Sequence, residues 1–457
     1  MERESGGPRQ GDPVAFTNRQ LMALIGPLFF EQFLAIAVGL ADSLMVSSVG
    51  DAAISAVSLV DSISALMIYI FSAMAAGGAA VAGQYIGRRE SRNASDACQH
   101  LMVLLAASSV VITAVLYLFR RGILTVLFGQ VDPEVMAASD TYYGIVMASI
   151  PAIALYNGGA AVFRAMGRSD LSLNVSLLMN GINVAGNALL IFGLGMDVSG
   201  VAIPTLVSRI VAAAVILAFL ANPALPLSLA PPREFTFRPV LMRNILSLGI
   251  PGGIENGMFQ LGRLVLYSLI STFSTAAVTA NAIGNTLGNF HCFAGQAVSL
   301  GSAVVVSQCA GAGAFDQARR YIRKLSLWAY GLMIGVNLLL LALLSPIMGI
   351  YAVSPEAERL AVMVAVIHGV ASMVIWVPSF LLPACMRSAG DARFTMVVSM
   401  LSMWLCRVFF AYILGKTLGY GVVGVYVAHA VLDWTVRSVV FLLRYRGGAW
   451  TRKAISE

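Results

Sequence analysis

Apolar residues in this chain gather in long runs of 20 or more, parted by short polar breaks. An α-helix needs about 20 such residues to cross a hydrocarbon core some 30 Å thick. The pattern therefore predicts spanning helices near residues 21–45, 53–85, 99–119, 136–163, 171–194 and 200–221. A second set follows near 244–272, 276–309, 325–350, 358–386, 394–415 and 421–443. The longest polar break, Asn222 to Arg243, holds Pro223, Pro226, Pro231, Pro232 and Pro239, and a segment so dense in proline reads as a linker. The expected fold is an all-α integral membrane protein with twelve transmembrane helices. Its expected parts are an N-terminal segment (1–20), a first lobe (21–221), the linker (222–243), a second lobe (244–443) and a tail (444–457).

The two sets of helices repeat one another. A shift of 224 residues places Pro27 on Pro251, Glu31 on Glu255, Ala53 on Ala277, Gly77 on Gly301, Gln84 on Gln308 and Gly87 on Gly311, without a gap across two helices. Arg164 and Gly167 fall on Arg387 and Gly390 at a shift of 223, and Gly200-Val201 falls on Gly424-Val425 at 224. Matches among small residues arise easily by chance. The paired Pro-x-x-x-Glu does not, because a carboxylate inside a span costs about 2.5 to 3.5 kcal/mol on insertion scales. Six helices per copy is an even number, so both lobes enter the membrane from the same side, and a pseudo-twofold along the membrane normal is expected to relate them.

Composition agrees with a lipid solvent: 58% of residues are hydrophobic and 11% charged, against about 25% charged in an ordinary soluble domain. The net charge of +7 does not point to nucleic acid, because the Lys and Arg residues sit in short connectors rather than on one basic face. Most fall in the N-terminus, the even-numbered loops and the C-terminus, among them Arg88, Arg89, Arg92, Arg319, Arg320, Arg323 and Lys324, which predicts both termini to be cytoplasmic. Glu2, Glu4 and Asp12, with no apolar core around them, exclude the layout of a cleavable secretory signal, so the first span is expected to direct insertion into a prokaryotic plasma membrane. The five cysteines are scattered, offering no metal site or disulfide framework, and read as small packing residues. Prolines 27, 151, 251, 378 and 383 lie inside spans, where each deletes a backbone hydrogen bond and bends the helix or merely aids packing.

Several local sequences carry a resemblance. They are Gly39-Leu-Ala-Asp42-Ser-Leu-Met, Ala82-Gly-Gln84-Tyr-Ile-Gly87, Phe163-Arg-Ala-Met-Gly167, Asn183-x-x-x-Asn187 followed by Leu190-Ile-Phe-Gly193, and Gly200-Val-Ala-Ile-Pro-Thr205, with Ser307-Gln308-x-x-Gly311 and Arg387-Ser-Ala-Gly390 in the second half. In order, spacing and duplication, from about residue 20 to 443, the chain resembles the multidrug and toxic compound extrusion (MATE) family. The resemblance implies a two-lobed monomeric antiporter in contact with membrane lipids, exporting small organic cations or drugs in exchange for inward protons or sodium, with no other cofactor. It also implies a cation-coupling role for Asp42, with Asn183, Asn187 and Thr205 as neighbours.

The residue chemistry is compatible with that role. Asn183 and Asn187 are four apart on one helical face, and carboxylate, amide and hydroxyl oxygens suit a sodium ion or a shared proton. The alternative is that Asp42 merely caps the outer end of its helix. Family members that bind sodium at this site often have Asp where this chain has Asn187. That departure favours a proton, since a lone carboxylate among apolar helices relieves its desolvation by taking one up. Another branch of the family carries its coupling acids at positions that correspond here to Gln260 and Trp376, neither ionisable. Glu31, Glu255, Asn256, Gln260 and Arg263 then form the candidate second-lobe or cleft group. Glu255 is either a functional acid or one half of a buried pair with Arg263. His429 and Asp433, four apart in the last span, are a candidate relay, while His291 and His368 read as isolated hydrogen-bonding residues. Methionines and aromatic residues such as Phe259, Phe290, Phe293, Tyr69 and Trp376 could line an adaptable wall for cationic drugs.

Two other functions are weaker. A lipid-linked oligosaccharide flippase would be expected to carry extra helices and more intramembrane cations than Arg209, Arg263, Arg407 and Arg437. A membrane-embedded transferase enzyme needs acids or histidines gathered on surface loops, and these loops are short and poor in acids. No phosphate-cradling Gly-x-x-x-x-Gly-Lys-Ser/Thr sequence occurs.

Overall fold

The computed structural model describes residues 14–129, 131–223, 225–229 and 235–455. Most of the expected N-terminal segment, including Glu2, Glu4 and Asp12, lies outside them, as do Pro231 and Pro232 of the linker and the last two residues of the tail.

Among the described residues the protein is all-helical. The first half runs α1 (Asn18–Ser47), α2 (Asp51–Gly87), α3 (Ser91–Leu118), α4 (Arg120–Phe128), α5 (Pro133–Met147), α6 (Ile150–Ala165), α7 (Ser169–Ala188) and α8 (Ser199–Leu220). The second runs α9 (Pro239–Ser271), α10 (Thr275–Gly311), α11 (Phe315–Ala342), α12 (Leu344–Tyr351), α13 (Pro355–Val374), α14 (Leu382–Ser388), α15 (Ala392–Leu401), α16 (Gly421–Tyr426) and α17 (Trp434–Arg446). The duplication shows in the lengths: α2 and α10 each have 37 residues, α3 and α11 each 28, and both latter helices are followed after one residue by a short continuation.

Among the described residues ten helices are long and apolar enough to cross a membrane, or eleven when the pair α5 and α6 is taken as one span bent by 45°. The expected span 136–163 is therefore broken, with Pro151 at the start of α6 where its missing N–H has no intrahelical partner to lose. At 33 residues α9 is also of spanning length, but Glu255, Asn256, Gln260 and Arg263 interrupt its apolar run. The sequence did not foresee that the last spans depart from α-helical winding. Leu189–Gly193, Val377–Leu381, Ser402–Phe409, Tyr412–Thr417 and Val427–Asp433 are π-helical, a geometry that recurs at functional sites.

Helix contacts divide the chain into two compact units, and not at the linker. One unit combines the chain up to Phe33 with the chain from Ile254; the other is Leu34–Gly253. The boundaries at residues 221 and 244 expected from the helix count thus differ from the packing boundaries, which fall inside α1 and α9. Two glycines related by the repeat explain why. A Cβ on Gly77 would lie 2.6 Å from the backbone nitrogen of Gly249, so α2 meets the start of α9 backbone to backbone. A Cβ on Gly301 would lie 2.8 Å from the Ile25 side chain, so α10 receives the start of α1 closely too, but against side chains rather than backbone. We refer to the unit containing Leu34–Gly253 as the acidic-site unit and to the other as the arginine unit, after the groups described next.

Candidate functional site

Late in α1, Asp42 is the group around which the acidic-site unit places its polar side chains. Asn187 Nδ2 donates to Asp42 Oδ1 at 2.9 Å. With its amide turned to satisfy both neighbours, Asn183 Nδ2 donates to both Asp42 oxygens at 3.0 Å and Oδ1 accepts from Thr205 Oγ1 at 3.1 Å, because the reverse orientation would set one oxygen against the carboxylate. Thr205 Oγ1 also lies 2.9 Å from the Val201 carbonyl and can donate there instead. All four residues proposed from the sequence are therefore in one hydrogen-bonded group. Asn183 and Asn187 are buried, and Asn187 immediately precedes the π-helical turn Leu189–Gly193.

A second polar pair belongs to the same unit. Tyr142 donates its hydroxyl to Asp61 Oδ1 at 3.1 Å, and Arg209 Nη1 donates to Ser149 Oγ at 2.7 Å. Arg209 and Asp61 both act electrostatically on Asp42. Tyr142 and Ser149 were missed in the sequence because an isolated Tyr or Ser in an apolar run carries no signal; only the helix packing selects them.

As a sodium site the Asp42 group fits poorly. The contacts shown are amide N–H groups donating to the carboxylate, where a hard cation requires oxygens. Asn187 Oδ1, buried without a hydrogen-bond partner, is the exception among these atoms. One carboxylate and two donating amides suit a group that alternates between charged and protonated forms.

In the arginine unit the sequence expectations need correction. Glu255 is buried, but its partner is Arg387, whose Nη1 donates to the two carboxylate oxygens at 3.1 and 3.0 Å. Arg263, the alternative partner, is exposed on α9. Eight residues apart on one helix the two side chains project from levels about two turns apart, whereas Arg387 at the end of α14 reaches the carboxylate directly. The relay pair is corrected likewise. Asp433 accepts from Arg407 Nε at 2.9 Å and Nη2 at 2.6 Å, and from the Ser402 hydroxyl. His429 sits instead against the rings of His368, Tyr426 and Trp434, with centroids 5.4 to 5.9 Å away. The relay rested on α-helical spacing, and Val427–Asp433 is π-helical.

The other two intramembrane histidines are hydrogen-bonded between helices, as expected. His291 Nδ1 lies 3.1 Å from His368 Nδ1, so one ring donates to the other. Of the remaining cleft candidates, Glu31 is buried on the first part of α1, in the other unit from Asp42 despite sharing its helix. Asn256 and Gln260 are half-buried on α9, and Trp376 is buried and stacks on Phe380 at 5.0 Å. The cysteines form no disulfide, and among the described residues no group of three or more His, Cys, Asp or Glu side chains could hold a metal ion.

Outside the spans, Asp197 accepts from the backbone nitrogen of Ser199 at 3.0 Å and from its hydroxyl at 2.7 Å. These bonds hold its carboxyl below the usual carboxylate range and secure the entry to α8.

The comparisons with known proteins match both the duplication and the fold. The MatE family model matches the chain twice, over residues 27–189 and 251–413. The uncharacterized transporter YisQ of Bacillus subtilis is 26% identical over 450 residues, covering 95% of this chain and 96% of the relative. The probable multidrug resistance protein NorM of Thermotoga maritima is 21% identical over 451 residues, covering 97% and 95%. Among solved structures, an outward-facing multidrug resistance MATE transporter of the MOP superfamily superposes with a TM-score of 0.87 at 18% identity, over 98% of this chain and 99% of that one. With the family model occurring once in each half of an all-helical, lipid-compatible chain, the protein belongs to the multidrug and toxic compound extrusion (MATE) family of membrane transporters.

Proposed function

We propose that this protein is a secondary antiporter of the plasma membrane, acting as a monomer, that exports small organic compounds in exchange for inward-moving protons, with Asp42 as the coupling group. The observation that carries this reading is the single carboxylate of Asp42 held by Asn187 and Asn183. An amide can turn over to suit either protonation state of the acid. A charged Asp42 takes both N–H groups, whereas a protonated Asp42 donates to Asn183 Oδ1 and leaves Asn183 to Thr205. A proton thus reorders the contacts between α1, α7 and α8 without any ion larger than a proton entering. Antiport needs such a bistable element, because a coupling ion shifts a conformational equilibrium only by its differential affinity for the two states.

The relatives named as multidrug resistance proteins support small organic compounds as the cargo. The cationic cargo implied by the family resemblance agrees with the acids of the acidic-site unit; the arginine unit has the opposite character. We infer cytoplasmic termini from the positive residues of the even-numbered loops. The deciding experiment is efflux of a fluorescent drug from proteoliposomes with the proton and sodium gradients collapsed separately. Export is expected to stop when the proton gradient is removed and to continue without sodium. Export that depends on sodium alone would assign the coupling to that ion.

A further inference from the structure

The arginine unit holds a cation that its own acids do not answer. Of its buried arginines, Arg407 is matched to Asp433, and the partly exposed Arg387 is matched to Glu255. Arg437 is 1% exposed and forms no ion pair of its own; Asp433 and Glu255 act on it electrostatically from beyond hydrogen-bond reach, each already paired with another arginine. Its Nη2 donates to Ser399 Oγ at 3.2 Å, while Nε and Nη1 are buried with no hydrogen-bond partner. Leaving a buried charged donor unsatisfied is among the more costly things a fold can do. The guanidinium is instead walled by rings, lying 4.5 Å from the Phe380 centroid and 5.1 Å from that of Phe259.

Phe259 also lies 5.3 Å from the Arg407 guanidinium, so one half-buried ring covers two cations. Beyond it on α9, one helical turn along, Arg263 is exposed, and among the described residues it has no acidic partner. It is close enough to act electrostatically on Arg407. The repeat shows that this charge is particular to one half. At the shift of 224, Arg263 and Arg437 correspond to Gly39 and Ala213, and Asp42 corresponds to Leu266.

We propose that the arginine unit contains a binding site for the carboxylate of a small organic anion, formed by Arg437, approached past Arg263 and covered by the Phe259 ring. The inference rests on the export reading and adds an anionic substrate class, taken by the arginine unit, to the cationic one. The site suits a monoanion rather than a pyrophosphate, because the cluster of Arg387, Arg407 and Arg437 is answered by two acids, Glu255 and Asp433, and exceeds them by one charge. Phe259 and Phe380 suit an aromatic body attached to the carboxylate. Rotation of the Phe259 side chain about χ1 uncovers the guanidinium, and the anion then supplies acceptors to Nε and Nη1.

The test is equilibrium dialysis of radiolabelled 2-naphthoate against the full chain in phosphatidylcholine nanodiscs, with no ion gradient, so that binding holds or fails independently of antiport. Saturable binding at least about tenfold tighter than that of methyl 2-naphthoate or 2-naphthylmethylamine is expected, a ratio of one charge-assisted hydrogen bond. Arg437→Met should weaken it by about 10- to 100-fold. Because a buried substitution can also disturb folding, Arg263→Gln on the exposed surface is the second variant, with an expected loss of about 3- to 10-fold. The proposal is overturned if the ester or the amine binds as tightly as the carboxylate, or if both variants bind 2-naphthoate like the parent. A repeat in phosphatidylglycerol nanodiscs separates the sources of the anion. If the lipid abolishes 2-naphthoate binding, the site belongs to a lipid headgroup and the small-anion assignment is wrong.

Discussion

The Asp42 group and the Arg407–Asp433 group occupy the two halves of a duplicated chain and treat buried charge in opposite ways. Asp42 faces amides, which satisfy a carboxylate without neutralising it. Asp433 is 0% exposed and gripped by Arg407 through two nitrogens, with Ser402 as a third donor. A paired, fully hydrogen-bonded ion pair is held in one state, because protonating the acid would leave the arginine buried and alone. An acid held by neutral amides can change charge at much smaller cost. The repeat sharpens the contrast: at the shift of 224, Arg209 in the first half corresponds to Asp433 in the second, and Thr205 to His429. Duplication preserved the course of the backbone while the side chains diverged, one half toward an acid held by amides and the other toward acids held by arginines.

Asp42→Asn breaks the switch outright and carries the largest expected effect. The variant should insert and unfold like the parent, yet lose gradient-dependent drug efflux. Full resistance and full gradient-dependent efflux in cells carrying it would pass the coupling role to Glu255 or Glu31.

Asp433→Asn probes the opposite half and should act on stability first. It leaves Arg407 without its acid at 5% side-chain exposure, and breaking a buried pair typically costs about 3 to 5 kcal/mol. Thermal unfolding in detergent measures this, and the double change Arg407→Met with Asp433→Leu should recover most of the loss. If Asp433→Asn unfolds like the parent but fails to transport, Asp433 is a functional acid and the contrast between the halves collapses. Glu255→Gln lies between the two extremes, since Arg387 is 31% exposed and can turn to water. It is expected to express near normally and to impair efflux; full activity would make Glu255 a packing residue.

The matched glycines allow the same comparison in the packing. Gly77→Ala would press its new methyl group on the Gly249 backbone, which cannot move aside, whereas Gly301→Ala would press on the Ile25 side chain, which can rotate. Overpacking costs about 1 to 3 kcal/mol, and the Gly77 variant should fall at the upper end, with the lower melting temperature of the two. Equal shifts would mean that α1 and α9 are equally yielding. The smallest effect is expected from Asp197→Ala, about 1 kcal/mol for loss of a helix-entry cap. Because the Asp197 carboxyl is held below its ordinary range, its contribution is present at neutral pH and fades as the pH falls through its folded value. The variant should therefore differ from the parent at pH 7 and much less near pH 3.

The sequence by itself determined what depends on runs and periods. Lipid as solvent, twelve expected spans, the proline-rich linker and the duplication all follow from where apolar stretches begin and end, since the bilayer imposes one length on every helix. Asp42, Asn183, Asn187 and Thr205 were legible because three of them lie in two short motifs and the fourth at the end of a matched segment. Other partnerships were decided only by the tertiary structure. Glu255 pairs across helices with Arg387 rather than along its own helix with Arg263. Asp433 turns to Arg407 because a π-helical stretch alters the side-chain directions that α-helical spacing would give. The same holds for the passage between units inside α1 and α9, which accompanies two close approaches at glycine, one to backbone and one to a side chain, that no hydropathy pattern records. Hydropathy is a property of each helix against lipid, but a buried charge is settled by whichever opposite group the neighbouring helix brings within hydrogen-bond reach.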